Sequence, residues 1–367
     1  MKFGAITIDT SIFVNRGRDF NDPLMNKLNQ FKNNSPIEFV LSDVVAKEMT
    51  QQLIYEKYQP MIEKYASAIS KLKSCNLIPS DIYDSLCKLE QESLIPTNIA
   101  TKEFKNFLAK TGCKIVSSDE VRVVEILKQY FSQKPPFGKG KKKSEFPDAI
   151  ALAGLENWAI KKSKNILVVS NDDDWANYAN TSKNLMVVAS LDDALNILNR
   201  KNPALDENIS NLLSNLTSES SEELYNKILL SINEKITDYY FTVRASSHLD
   251  FEALTHEVQA KNFKFSDCLN HKIIAIYKDE LAIQVDIEVE VFALAEFRFY
   301  SHDSIDGDFV HIGDSSSTVL TNQNARIILK LGGDIENNIS DTKIVNVELS
   351  DIDEDIDFGY VEPEYDH

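Results

Sequence analysis

The 367-residue chain carries 39 Lys and Arg against 57 Asp and Glu, a formal net charge of −18, and that balance excludes a protein that coats nucleic acid along its whole length. The charge is divided, however: residues 1–200 hold 27 basic and 24 acidic side chains, net +3, and residues 201–367 hold 12 and 33, net −21. A phosphate-binding surface therefore belongs to the first half, and a length well above that of an average domain predicts two domains.

Phe3 to Ile8 (FGAITI) is a short apolar run ending at Asp9, the pattern of a strand buried in a parallel sheet. It has no signal-peptide cleavage pattern, so secretion is not expected. A helix is expected near Asp22 to Lys32, then a strand at Ile37 to Leu41. Ser42-Asp43 reads as the N-cap of a long helix that runs through Glu48 towards Lys71. Residues 80–131 read as further helices, with Lys114 to Ser117 extended.

Pro135 to Asp148 (PPFGKGKKKSEFPD) breaks this pattern. Two prolines, two glycines and the run Lys139, Lys141, Lys142, Lys143 predict an exposed cationic loop. It ends in Glu145 and Asp148, where a helix through Trp158 begins with Pro147 in its first turn. Asn165 to Ser170 (NILVVS) is the clearest strand, followed by the turn NDDDW, a strand at Leu185 to Ala189 and a helix at Leu191 to Leu198. Alternating strands and helices predict an α/β fold with a central parallel sheet over residues 1–200.

Asn202-Pro203 and the polar stretch NLTSESSEE mark a boundary, with residues 201–235 expected as a linker carrying a helix from Glu222 to Glu234. Strand-like segments follow at Tyr239 to Arg244, Lys272 to Tyr277, Leu281 to Tyr300, Ala325 to Leu331 and Lys343 to Leu349. They predict a β-rich α+β accessory domain over residues 236–350. Residues 351–367 have no basic residue apart from the terminal His and are expected to form a disordered acidic tail, which could restrain the first domain by lying on its lysine loop.

Cys75, Cys87, Cys113 and Cys268 form no CxxC pair, and the six histidines all lie beyond residue 247. Ser-His-Asp and Cys-His chemistry is thereby excluded from the first half, and the cysteines read as reduced thiols of a cytoplasmic protein. No apolar run approaches the ~20 residues of a membrane span, so no membrane partner is expected. What the first half does hold is carboxylates. Asp9 lies just past one expected strand and Asp172, Asp173 and Asp174 just past another, and in an open parallel sheet ligands bind outside the carboxyl ends of strands. Adding Glu48 and Asp148 collects acids whose mutual repulsion calls for protons or cations. Mg²⁺ or Mn²⁺ suits such oxygen donors, lowers the pKa of a bound water and stabilises charge on a phosphate. The lysine loop would hold a nucleic-acid backbone without reading its sequence.

The ordered set IDTSIF (Asp9, Thr10, Ser11), Glu48 within SDVVAKEM, EFPDAIAL (Glu145, Asp148) and VVSNDDDW (Ser170, Asp172, Asp174) resembles the PIN-domain nucleases over about residues 1–200. The K-x-E-F-P-D-A form is similar to a branch of larger bacterial members. The resemblance implies a Rossmann-like domain that binds one or two Mg²⁺ or Mn²⁺ ions and cleaves RNA, usually single-stranded. Carried over by position, Asp9, Glu48, Asp148 and Asp172 are the catalytic and metal-holding quartet, and Ser170 is the small polar residue before the last acid. Thr10 and Ser11 join it as polar support, and Glu145 and Asp174 are further candidate metal ligands. Asp173 is expected to point away, so the last ligand stays open between Asp172 and Asp174. The long interval from Glu48 to Asp148 departs from compact PIN toxins and predicts an inserted helical region.

Two other classes fit parts of the pattern. A haloacid-dehalogenase-like phosphatase also starts from an aspartate after its first strand, but it wants a second Asp two positions on, where Ser11 stands. A non-catalytic interaction protein would keep the PIN fold without the activity. The expected partners are an RNA substrate, with DNA as a second candidate, and a homo-oligomer or regulatory protein engaged through residues 205–350. Trp158 and Trp175 read as core. His248, His256, His271, His302 and His311 lack ligand-like spacing, and Asp303, Asp306 and Asp308 read as a polar turn because an EF-hand pattern is absent.

Overall fold

In the computed structural model the first strand, β1 (Ala5–Ile8), is buried at every position, which is why its sequence is apolar on both faces apart from Thr7. The chain continues through α1 (Thr10–Asn15), a 3₁₀ helix at Met25–Phe31, β2 (Glu38–Ser42), α2 (Asp43–Gln52) and a π-helical segment at Leu53–Tyr58. Next come α3 (Gln59–Ser74), α4 (Ser80–Ser93), α5 (Pro96–Thr111), β3 (Lys114–Val116) and α6 (Val123–Phe131). The last part of this unit is α7 (Phe146–Lys162), β4 (Ile166–Val169), α8 (Asp173–Ala179), β5 (Leu185–Val188) and α9 (Leu191–Asn199). Described are residues 2–33, 35–138, 145–200, 203–216, 222–237, 239, 241–266, 270–277, 280–302, 308–333 and 343–364. They divide into two units, Met1–Leu198 and Asn199–His367.

The first unit is built on a parallel five-stranded sheet in the order β3-β2-β1-β4-β5. Strand order reverses between β1 and β4, so a crevice opens at the carboxyl ends of those two strands. Their register pairs Ile8 with Val169, which sets Asp9 and Ser170 side by side at the sheet's end. An aromatic group beside the sheet, Phe13, Phe20, Phe39, Phe104 and Phe107, is drawn from α1, the loop after it, β2 and α5, with Phe20 and Phe107 stacked at 4.6 Å. The expected helical insertion is present as α3, α4 and α5, and α4 contributes no buried residue.

Local signals account for the helix ends. Ser42 caps α2, its Oγ accepting from Val44 N at 3.2 Å. Gly112 closes α5 at φ 68°, where a Cβ would stand 2.9 Å from the Lys32 backbone; no other residue type fits without displacement. The helix expected near Asp22 to Lys32 is a 3₁₀ helix instead, entered through Asp22 Oδ1, which accepts from Leu24 N and Met25 N at 2.9 Å each. Trp175 is fully buried, as expected of core, and Trp158 is half-buried.

The second unit comprises α10 (Pro203–Leu216), α11 (Glu222–Ile236), β6 (Thr242–Ser246), β7 (Asp250–Phe265), β8 (Lys272–Ile276), β9 (Glu280–His302), β10 (Phe309–Gly332), β11 (Lys343–Ile352) and β12 (Asp355–Tyr360). Its main sheet is antiparallel in the order β11-β10-β9-β7, with β8 also paired to β9. The odd positions of β9 from Leu281 to Phe299 are buried, and they share one apolar cluster with Leu205, Ile209 and Leu213 of α10 and Ile228, Ile232 and Ile236 of α11. α10 and α11 are therefore core-forming helices of this unit where a linker carrying a helix was expected, the apolar side chains recurring at helical spacing against the sheet.

The disordered acidic tail expected at residues 351–367 is likewise corrected over its described part, residues 351–364. β12 pairs in parallel with β6, and Ile356, Phe358 and Val361 are buried in the same cluster. The acids alternate with those apolar side chains, which is the period of a strand. Of the expected polar turn, Asp303 and Asp306 lie outside the described residues, as does Cys268, and Asp308 is exposed.

Candidate functional site

Asp9 directly follows β1 and caps α1. Its Oδ1 accepts from Thr10 N at 2.6 Å, and its Oδ2 accepts from Ser11 Oγ at 2.6 Å and Ser170 Oγ at 3.0 Å. The residue is 6 % exposed. Burial pushes its pKa upward, and the hydroxyl and amide donors pull against that shift by favouring the charged form. Asp9 N also donates to Val169 O at 2.9 Å, continuing the ladder one residue past β1 and fixing the side chain at the sheet's end.

Ser170 links the two strand ends. Its hydroxyl donates to Asp9 and accepts from Asp172 N at 3.0 Å. Asp172 in turn caps α8, its Oδ1 accepting from Asp174 N at 2.7 Å. Glu48 comes from α2, and its Oε2 accepts from Thr10 Oγ1 at 2.8 Å. Burial raises the Glu48 pKa, the Thr10 hydroxyl lowers it, and the charge of Asp9 raises it again. Asp148 stands in the first turn of α7, where the indole Nε1 of Trp175 donates to its Oδ1 at 2.9 Å. Its pKa is pushed up to about 6, first by burial, against the indole hydrogen bond, and further by the charges of Asp9, Glu48 and Asp172.

Asp9, Thr10, Ser11, Glu48, Asp148 and Asp172 line one cavity of about 450 Å³. Gln51, Gln52, Tyr55 and Glu56 line it too and were missed from sequence. The available signal was spacing: they follow Glu48 at three, four, seven and eight positions, so a helix that turns Glu48 inward turns them with it. Ser170 does not line the cavity but holds two residues that do.

Glu145 and Asp174 also fall outside the cavity lining. Glu145 Oε2 accepts from Gly138 N at 3.3 Å and so ties the base of the preceding loop to the start of α7. Asp174 has its pKa raised by burial first and then by the charges of Asp172, Glu145 and Asp173. Lys139, Lys141, Lys142 and Lys143 lie outside the described residues.

Among the described residues, no three His, Cys, Asp or Glu side chains form a group able to hold a metal ion, so the case for a cation rests on donor chemistry. That chemistry fits Mg²⁺ or Mn²⁺: the donors are hard oxygens, and Asp9, Glu48 and Asp148 have pKa values raised by desolvation or by one another. Donors hold each of them, Thr10 N on one oxygen of Asp9 and Ser11 and Ser170 on the other, Thr10 Oγ1 on one oxygen of Glu48 and Trp175 on one oxygen of Asp148, the support that ligating carboxylates need. No helix among the described residues is long and apolar enough to cross a membrane.

A family model described as a PIN domain matches residues 6–175. No curated protein and no solved structure matches the chain.

Proposed function

We propose, from the premise that the N-terminal unit carries a PIN domain, a fold that is usually a metal-dependent nuclease, that this protein is an endoribonuclease hydrolysing phosphodiester bonds of single-stranded RNA. One observation carries the reading: Asp9 just past β1, Glu48 from α2, Asp148 from the first turn of α7 and Asp172 from the cap of α8 after β4 line a single cavity at the switch point of the sheet. These carboxylates would hold one or two Mg²⁺ or Mn²⁺ ions. When bound, the cation supplies a more acidic water and neutralises charge that builds on the phosphate.

The chain's own part is positioning. Ser11 and Ser170 keep Asp9 oriented through Oδ2, Thr10 keeps Glu48 oriented through Oε2, and Trp175 keeps Asp148 oriented through Oδ1. Lys139, Lys141, Lys142 and Lys143, next to Asp148 in sequence, would hold the RNA backbone. Asp174 and Glu145 would act as outer carboxylates, their charge felt by the site without lining it. A reducing, cytoplasmic setting suits the free thiols Cys75, Cys87 and Cys113. The phosphatase alternative fares poorly, because the residue two positions after Asp9 is a serine already donating to Asp9 itself.

The test is cleavage of a single-stranded RNA by the full chain with Mn²⁺, Mg²⁺ or EDTA, beside Asp148→Asn. Cutting that needs the cation and is lost in the variant supports the reading. Equal, cation-independent behaviour of the two proteins removes it.

A further inference from the structure

Tyr55 lines the cavity, yet it is 60 % exposed, and its hydroxyl makes no hydrogen bond among the described residues. It sits in the π-helical segment Leu53–Tyr58, a widened turn inserted between α2 and α3. Such turns shift a helix face locally and recur at functional sites. Here the turn follows directly on the helix that carries Glu48, so an aromatic face opens beside the carboxylates. Every other side chain lining the cavity is polar or charged, so Tyr55 supplies its one aromatic surface among the described residues.

Its neighbour Gln52 has a defined orientation. Arg18 donates to Gln52 Oε1 through Nε at 3.1 Å and through Nη2 at 2.7 Å. A guanidinium offers only donors, so the amide must turn its oxygen to Arg18 and its NH₂ the other way. That NH₂ makes no hydrogen bond among the described residues, and Gln52 lines the cavity. The cavity thus holds a flat aromatic face next to a fixed neutral donor, close to carboxylates that suit a phosphate-bound cation.

A nucleotide matches all three elements: a planar base for Tyr55, an acceptor on base or ribose for Gln52, and the phosphate for the acidic end. Only an unpaired base has a face free for the ring, because in a duplex both faces are covered by neighbours. We propose that Tyr55 is the stacking platform for one unpaired base beside the scissile phosphate, with the Gln52 amide donating to the same nucleotide. This makes single-strandedness a property read at the cavity itself. The inference rests on the nucleic-acid reading of the site, and its test separates the two.

The experiment uses the full chain carrying Asp148→Asn, so that the probe survives, and a short single-stranded RNA with one 2-aminopurine, in Mg²⁺. Stacking on Tyr55 quenches the 2-aminopurine as the RNA binds. Adding Tyr55→Ala is expected to weaken binding about 5- to 100-fold and to abolish the quench, while Tyr55→Phe and Tyr55→Trp retain both. A duplex RNA of the same sequence is expected to bind the chains with and without Tyr55→Ala within about 2-fold of each other, since stacking energy is gained only by a free base. Wild-type-like binding and quench in Tyr55→Ala, an equal loss for duplex, or no binding by the chain that keeps Tyr55 each overturns the proposal. Cleavage by the wild-type chain is measured separately. Binding with a Tyr55-dependent quench but no cutting sinks the nuclease reading and leaves the platform standing, and cutting without the quench does the reverse.

Discussion

The indole Nε1 of Trp175 donates to Oδ1 of Asp148 at 2.9 Å, so the largest fully buried side chain among the described residues also positions an acid of the cavity. The bond joins α8, whose cap is Asp172, to the first turn of α7. It favours the charged form of Asp148 and opposes the upward push of burial.

Trp175→Phe should therefore have two separable effects. Loss of ring volume and of a buried hydrogen bond is expected to cost about 1–3 kcal/mol in thermal or denaturant unfolding. Loss of the donor lets the Asp148 pKa rise further, so the acid limb of the pH–rate profile should move to higher pH. A lower melting temperature with an unmoved pH midpoint would assign Trp175 to the core alone.

Trp175 also illustrates what was legible beforehand. Its burial could be read from its place after a strand and a turn, but a second role as a hydrogen-bond donor depends on where α7 crosses α8, which no local pattern encodes. Asp9, Asp148 and Asp172 were expected because each lies just past a strand or at a helix start, and Asp9 and Asp172 act as caps there, whereas Glu48, in the middle of α2, rested on the PIN resemblance. Gln51, Gln52 and Tyr55 belong to no motif of their own, so only their helical spacing from Glu48 could have pointed to them. In the second unit the apolar alternation of β9 was plain. The first half of β10 was not: its polar run from Asp314 to Thr318 forms a strand through pairing with β9, while most of its side chains stay in solvent. β12 was masked by composition, since its acids stand between the few apolar residues that anchor it.

Asp148 sets a pH dependence whose sign can be worked out. Its pKa is raised from 3.8 to about 6 in the folded chain. A carboxyl with a raised folded-state pKa favours folding below its unfolded value and loses that contribution as pH climbs through the folded value. In EDTA, Asp148→Asn should therefore be more stable than wild type at about pH 7.5, by about 1–2 kcal/mol once partial exposure is allowed for, with the gap closing by about pH 4. Added Mn²⁺ should reverse the order, because the ion stabilises only the chain with the full acid set. Thermal melts across pH with and without Mn²⁺ read both effects; a gap constant in pH would show that Asp148 titrates normally.

Thr10 offers a test of the support behind the acids. Its hydroxyl donates to Glu48 Oε2 at 2.8 Å, while its backbone N–H donates to Asp9 Oδ1, the cap of α1, and survives substitution. Thr10→Val keeps the shape and removes only the hydroxyl, and it should weaken Mn²⁺ binding by about 10-fold, within the range seen when support of a ligating group is lost. Thr10→Ser should restore most of it. Calorimetric titration of Mn²⁺ into the three proteins measures this directly, and equal affinities would mean that Glu48 needs no such support.

The acidic C-terminal segment was expected to be free and to restrain the lysine loop, so its deletion was expected to raise activity at low salt. Its folded state argues otherwise. Ile356 is fully buried, Phe358 and Val361 nearly so, and Phe358 meets Phe297 of β9 edge-on at 5.6 Å. β12 also pairs with β6, in register from Asp355↔Thr242 to Asp357↔Arg244 and shifted by Tyr360↔Ser246, so removing it exposes a strand edge as well as an apolar surface. Ile356→Ala should cost about 2–4 kcal/mol of the second unit's stability, and deletion of residues 351–367 should cost more and promote aggregation. Hydrogen exchange over β6 and β9 reports the loss locally. Unchanged protection in both variants would return the segment to the status of a tail, and faster RNA cutting by a fully folded deletion variant would revive its role as a restraint.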